Sequence, residues 1–307
     1  MIKRKVIIDT DPGHDDAMAI FLAAKSNLLN ILALTTVCGN STIENTTRNA
    51  RYILDLLERN DIPVYSGAEK PLKRDLVQAV VHGKSGLEGI DPQNEPNLTG
   101  NAVEKIIEIV KTNPNEVTLI TLGPLTNIAL AIQKNPSLMK KVKEIVSMGG
   151  AIRVAGNKNR VAEFNFFVDP EAAKIVFDFP IKKVLVPLDV CNRITLTISD
   201  FKKIKNEVLR ENLLKMVIPF SRNTRKNEGP KGVMMYDVLA VFSLLKPKLI
   251  KTVDYDIKIE TEGELTRGMS VADLRMRGEK IKNVSVVEKI PKEIFRKYFI
   301  DILSKLP

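Results

Sequence analysis

Strand-like apolar runs alternate with helix-like stretches through the first two thirds of this chain, and each run stops at a Gly, a Pro or an acidic turn. Ile2 and Val6-Ile7-Ile8 read as a buried strand ahead of Pro12-Gly13, with an apolar-periodic helix (Ala17, Ile20, Phe21, Ala24) opening at Asp15. Leu32-Ala33-Leu34-Thr35-Thr36-Val37 leads through Gly39 to a helical pattern from Ile43 to Glu58. Val117 to Leu122 leads through Gly123-Pro124 to a helix over Thr126 to Gln133; Ile145 to Met148 ends in Gly149-Gly150, and Lys183 to Val186 ends at Pro187. Short apolar runs bounded by turn residues suit strands buried on both faces, and their alternation with helices predicts βαβ units. The fold class is therefore α/β, an open and mostly parallel Rossmann-like sheet with helices on both faces. Alternation in Asp254 to Glu260 and Val284 to Val287 predicts a small antiparallel addition near the C-terminus, before a final helix from Lys292 to Leu306. No repeat or low-complexity tract interrupts the chain, which reads as one domain over 1–307. Ligands of such sheets bind beyond the carboxyl ends of the strands, where Asp11, Asn40, Leu122 and Met148 all fall.

Chemistry concentrates at the first of those strand ends. Asp9, Asp11, Asp15 and Asp16 place four carboxylates within eight residues. Like charges so close repel unless something neutralises them, and the oxygen-only donor set suits a hard divalent cation, Ca²⁺ or Mg²⁺. Capping of the helix by Asp15 or Asp16 explains one carboxylate or two and leaves the others unexplained. Glu163 and Asn165 sit among aromatic residues in Ala162-Glu163-Phe164-Asn165-Phe166-Phe167, where a carboxylate is costly unless donors or a ligand meet it. Asp237, in Met235-Tyr236-Asp237-Val238, starts an apolar helix and taken alone reads as an N-terminal helix charge.

Composition narrows the partners. A net charge of +10 would suit an acidic partner, but the lysines are dispersed along the chain and there is no Trp, so no nucleic acid is expected. No transmembrane-length run and no early signal-peptide pattern stands out; no membrane is expected, and the location is read as cytoplasmic. Cys38 and Cys191 are too few for a disulfide framework and sit in apolar settings, which suits two buried thiols. Residues 82–97 and 221–233 read as polar loops and as candidate lids.

Several strings occur in order between Val6 and about Leu245: Asp9-Thr-Asp-Pro-Gly-His-Asp-Asp16, Cys38-Gly39-Asn40, Gly123-Pro124-Leu125-Thr126-Asn127, Met148-Gly149-Gly150, and Ala162-Glu163-Phe164-Asn165 with Asp169-Pro170-Glu171-Ala172-Ala173. Together they closely resemble the inosine-uridine-preferring nucleoside hydrolase family. The resemblance implies a Ca²⁺-dependent enzyme that splits a small-molecule ribonucleoside into free base and ribose. It implies metal ligation by Asp11, Asp16, Asp237 and the main-chain carbonyl of Leu122, where many relatives carry Thr. Residues matching the ribose-contacting set are Asp15, Asn40, Met148, Asn157, Glu163 and Asn165. His82 matches a histidine of relatives that accept pyrimidines or both base types. Tyr236 departs from the family, many members of which have a proton-donating histidine there, and the tryptophans that sandwich purines in some relatives are absent. The resemblance also implies a homo-oligomer, a tetramer or dimer.

Cleaving the C1′–N bond builds positive charge on ribose and negative charge on the base, so the expected site activates water, holds the sugar and protonates the leaving nitrogen. Asp11 is the expected general base, with inversion at the anomeric carbon. His82 and Tyr236 are the candidates on the leaving-group side, although a tyrosine with a pKa near ~10 gives up a proton less readily than histidine. Base preference stays open, with broad ribonucleoside hydrolysis expected. Two further readings are a non-catalytic nucleoside or ribose sensor on the same scaffold, and a haloacid-dehalogenase-type phosphatase using Asp9 and Asp11.

Overall fold

The computed structural model describes residues 3–90, 92, 98, 100–229, 232–275 and 282–305, so Ile2, Leu306 and parts of both candidate lids lie outside the described residues. β1 (Arg4–Thr10) is apolar toward both sides: Val6 and Ile8 join one core and Ile7 the other. In chain order follow β2 (Leu29–Thr36), β3 (Val64–Ser66), β4 (Thr118–Thr121), β5 (Glu144–Met148), β6 (Lys183–Val186), β7 (Thr195–Leu196) and β8 (Val233–Met234). The last four are β9 (Lys251–Tyr255), β10 (Ile257–Ile259), β11 (Ser270–Ala272) and β12 (Val284–Lys289). An eight-stranded sheet has the order β3-β2-β1-β4-β5-β6-β12-β9, parallel throughout except where β9 meets β12. The pairs β7–β8 and β10–β11 are antiparallel. The expected parallel sheet and its late antiparallel addition are both present.

Helices cover both faces. His14–Lys25, Tyr236–Leu245 and Lys292–Leu303 pack on the side of Val6 and Ile8, while Ala102–Thr112, Thr126–Lys134 and Pro170–Asp178 pack on the side of Ile7. From β1 the chain runs outward through β2 to β3 and then returns to β1's other flank as β4. That reversal opens a crevice between the carboxyl ends of β1 and β4, the switch point at which α/β sheets bind ligands.

One expectation is corrected. Residues 221–228 are not a loop but the last turns of a helix, Glu207–Glu228, capped by Asn206, whose side chain accepts from Leu209 N–H. Its buried stripe runs Leu209, Leu213, Met216, Val217, Phe220 and Thr224, so the apolar period thins to a single threonine where the sequence turns polar and basic. Pro219 inside the helix further masks it in the sequence. The other candidate lid is pinned where it is described. Leu87 is fully buried, Ser41 Oγ donates to Lys84 O (2.8 Å), and Asn49 Nδ2 donates to Ser85 O (2.9 Å).

Candidate active site

β1 delivers the aspartate run to the crevice, and Pro12-Gly13 turns the chain into helix His14–Lys25. Asp16 does cap that helix, accepting from Gly13 N–H at 3.0 Å, but its two oxygens also accept from Thr10 Oγ1 (2.5 Å) and Asn40 Nδ2 (3.1 Å). Capping therefore accounts for part of one carboxylate. Asp11 Oδ2 accepts from Asn40 N–H at 2.7 Å, and Asp11 Oδ1 is buried with no hydrogen-bond partner. Glycines make room for this side chain: a Cβ on Gly39 would lie 2.1 Å from Asp11 Oδ2, and one on Gly123 2.4 Å from Oδ1. Asp9 lies behind, its Oδ1 accepting from Thr35 Oγ1 (2.6 Å) and Asn127 Nδ2 (2.8 Å), and burial lifts its pKa to about 7. A fully buried Asp9 held in this way is not placed as a phosphatase nucleophile.

Asp237 arrives from the first turn of Tyr236–Leu245. Asp15, Asp16 and Asp237 each bring a carboxylate oxygen to within 4.8 Å of the others, all buried. Burial, then the neighbouring Asp16, holds the Asp11 carboxyl well above its usual range; burial likewise raises Asp16 and Asp237. A hydrogen bond joins the Asp237 and Asp16 carboxyl groups. So many buried carboxyl groups call for a strong positive partner, and every ligand atom they offer is an oxygen. The set fits a hard divalent cation.

The opposite wall comes from β4, β5 and the turn at Glu163. Asn165 Nδ2 donates to the Leu122 carbonyl (2.7 Å) and approaches Met148 O (3.4 Å) and Met148 Sδ (3.6 Å). Glu163 caps the helix Phe164–Val168, accepting from Asn165 N–H (2.9 Å) and Phe166 N–H (3.3 Å), and also from Gly150 N–H (3.0 Å). Burial nonetheless lifts its pKa to about 7. Asn157 is half-buried and accepts from Phe164 N–H at 2.9 Å, which ties it to this wall. Tyr236 is buried next to Asp237 in the same helical turn.

His82 enters from the other side, its Nε2 3.7 Å from Asp15 Oδ1. Its Nδ1 lies 2.9 Å from Nδ1 of His14, and Phe220 covers both rings at centroid distances of 4.9 Å (His14) and 5.1 Å (His82). Burial lowers the His14 pKa to about 4; burial and then His14 push His82 well below its ordinary value, so both rings are neutral near pH 7. His14, Phe220, Asn127 and Glu88 had no role in the sequence reading. For Asn127 the signal was present, since it closes the Gly-Pro-Leu-Thr-Asn string; for Phe220 there was none. The crevices of about 530 Å³ and 580 Å³ on the molecule contain none of these residues, so donor chemistry rather than cavity size marks the site.

Residues 6–297 match the family model described as inosine-uridine preferring nucleoside hydrolase. A pyrimidine-specific ribonucleoside hydrolase, RihA of Citrobacter koseri, is 40% identical over 309 residues, covering 98% of this chain and 96% of that protein. Among solved structures, a plant nucleoside hydrolase, PpNRh1, superposes with a TM-score of 0.92 at 30% identity over 99% of both chains. A purine-preferring ribonucleoside hydrolase from Gardnerella vaginalis gives 0.90 at 29% identity over 98% of both.

Proposed function

The chain belongs to the inosine-uridine preferring nucleoside hydrolase family and hydrolyses the N-glycosidic bond of ribonucleosides, and from that premise we propose how its residues divide the work. Asp11, Asp16, Asp237 and the Leu122 carbonyl hold Ca²⁺. The observation that carries this is the convergence of the buried Asp15, Asp16 and Asp237 carboxylates, together with an Asp11 Oδ1 that is buried and has no hydrogen-bond partner. Calcium held by these residues would supply a lowered pKa for the attacking water and oxygen coordination for the ribose hydroxyls. Asp15 brings a carboxylate oxygen within 4.8 Å of those of Asp16 and Asp237, so it could serve the ion as well as the ribose.

Asp11 takes the proton of the attacking water, its Oδ1 being buried and not held by another hydrogen bond. Asp15, Asn40, Met148, Asn157, Glu163 and Asn165 orient the ribose and favour positive charge on its ring. Attack opposite the departing base inverts the anomeric carbon. His82 and Tyr236 face the base. Similarity both to a pyrimidine-specific and to a purine-preferring hydrolase, with no Trp available to sandwich a purine, supports broad acceptance of ribonucleosides. We further propose a homo-oligomer, a tetramer or dimer, located in the cytoplasm, where the buried thiols of Cys38 and Cys191 stay reduced. Among the described residues no helix is long and apolar enough to cross a membrane.

Ribose release from inosine, adenosine, guanosine, uridine and cytidine, measured on one preparation with calcium and after strict chelation, tests the reading. Turnover of several bases is expected, lost on chelation and reduced by about 10²-fold or more in Asp11→Ala. Robust turnover by the chelated enzyme would sink the metal assignment, and strong selectivity for one base would sink the broad specificity.

A further inference from the structure

The strings shared with the family end near Leu245, yet residues 267–270, beyond them in the chain, reach the wall that carries Glu163. Ser270 opens β11 and is fully buried. Its hydroxyl donates to the Ala151 carbonyl (2.8 Å) and accepts from the Ala151 N–H (2.9 Å), so one side chain answers both main-chain polar groups of a buried residue. Ala151 follows Gly150, whose N–H donates to Glu163 Oε2 at 3.0 Å. The hydroxyl also closes over Gly150 itself: a Cβ there would lie 2.8 Å from Ser270 Oγ, and the φ of +72° favours glycine. From the opposite side Leu188 N–H donates to the Gly150 carbonyl (3.0 Å), and the Asp189 carboxylate accepts from Ile152 N–H (2.9 Å) and Arg153 N–H (2.8 Å). A chain lacking the Ser270 hydroxyl therefore keeps the turn and loses its alignment.

Gly268 and Arg267 hold the other half of the same wall. A Cβ on Gly268 would lie 2.7 Å from Phe167 Cα, so this backbone presses on helix Phe164–Val168, which Glu163 caps. The Arg267 guanidinium lies 4.2 Å from the centroid of the Phe167 ring. The Arg267 carbonyl accepts from Asn159 Nδ2 (3.2 Å), and Asn159 Oδ1 in turn accepts from the N–H of Ala162 (2.6 Å), the residue before Glu163. Residues 267–270 thus touch both sides of the gap that Glu163 spans, the Gly150-Ala151 turn and the start of the helix. We propose that Ser270 is a positioning residue for the hydrolysis: by fastening Ala151 it holds the Gly150 N–H on the Glu163 carboxyl group and so sets where that group meets the ribose. The proposal rests on the reading of Glu163 as a ribose-orienting residue.

A double-mutant cycle tests it, with kcat and KM measured on the calcium-loaded enzyme using whichever of inosine and uridine turns over faster. Ser270→Ala should lower kcat by about tenfold with KM little changed, because the carboxyl group is displaced from the ring that gains charge in the transition state. In a Glu163→Ala background the same substitution should lower kcat by less than about twofold, since the group it positions is gone. Comparable losses in both backgrounds overturn the proposal. So does a Ser270→Ala enzyme whose Tm falls while kcat stays unchanged, the mark of a structural role alone. If Ser270→Ala does not fold, Ser270→Cys, which keeps the shape of the side chain and weakens its hydrogen bonds, takes its place in the cycle. Failure of the Glu163 reading looks different: Glu163→Ala alone would keep the wild-type kcat, and the proposal falls with it.

Discussion

Glu163 is a carboxylate answered atom by atom, with main-chain N–H groups of Gly150, Asn165 and Phe166 meeting its two oxygens. Burial still outweighs them and carries its pKa from 4.5 to about 7. The ligand-free fold therefore holds this proton more tightly than the unfolded chain does. The associated stability is complete below about pH 4.5 and is lost as pH rises through 7, about 3 kcal/mol in order of magnitude. Thermal melts in chelator should show wild type losing stability relative to Glu163→Gln between pH 5 and pH 8; a constant difference between the two would refute the shift. At this scale the sequence was legible where a residue type was out of place, as with Glu163 among phenylalanines. It was silent where an ordinary residue takes a partner far along the chain. Nothing local marks Asp9 for Asn127, or His14 for the Glu88 carbonyl, because both pairings exist only after β1 has been flanked.

Among elements, the strands were the legible part, since continuous apolar runs such as Val6-Ile7-Ile8 and Val117 to Leu122 have one stable use, burial on both faces of a sheet. Helix Glu207–Glu228 was the part missed. Beyond Phe220 its exposed positions are basic or polar, and the one inward residue of the next turn is Thr224. Tertiary packing, not periodicity, keeps that end helical. Phe220 is the inward anchor, buried against the two imidazoles. Phe220→Ala should cost about 3–5 kcal/mol in denaturant unfolding, and Phe220→Leu clearly less. Equal losses in the two variants would mean that the stacked ring itself, and not the apolar volume that leucine restores, carries the contribution.

For the whole molecule, the sheet order gathers the ends of β1, β2, β4 and β5 at one crevice, while Asp237 reaches it from a helix more than two hundred residues after Asp11. A cation that ties both together binds the folded chain and not the unfolded one. Calcium at about a hundred times its Kd should add about 2.7 kcal/mol of stability, seen as a chelator-sensitive rise in Tm. Asp237→Asn should abolish most of that rise while melting higher than wild type in chelator, since it removes a buried acid; an undiminished calcium response in that variant would place the ion elsewhere.

The margins of the eight-stranded sheet bear on how copies of this chain would meet if they associate. An open sheet leaves unpaired N–H and C=O groups along its outermost strands, which invite a further strand. At one margin β9 exposes Lys251, Thr252 and Asp254, and at the other β3 is only three residues long. Continuing the sheet from one molecule into the next is disfavoured at both ends, so any contact between copies is expected to form across helices and loops, leaving each sheet confined to its own chain.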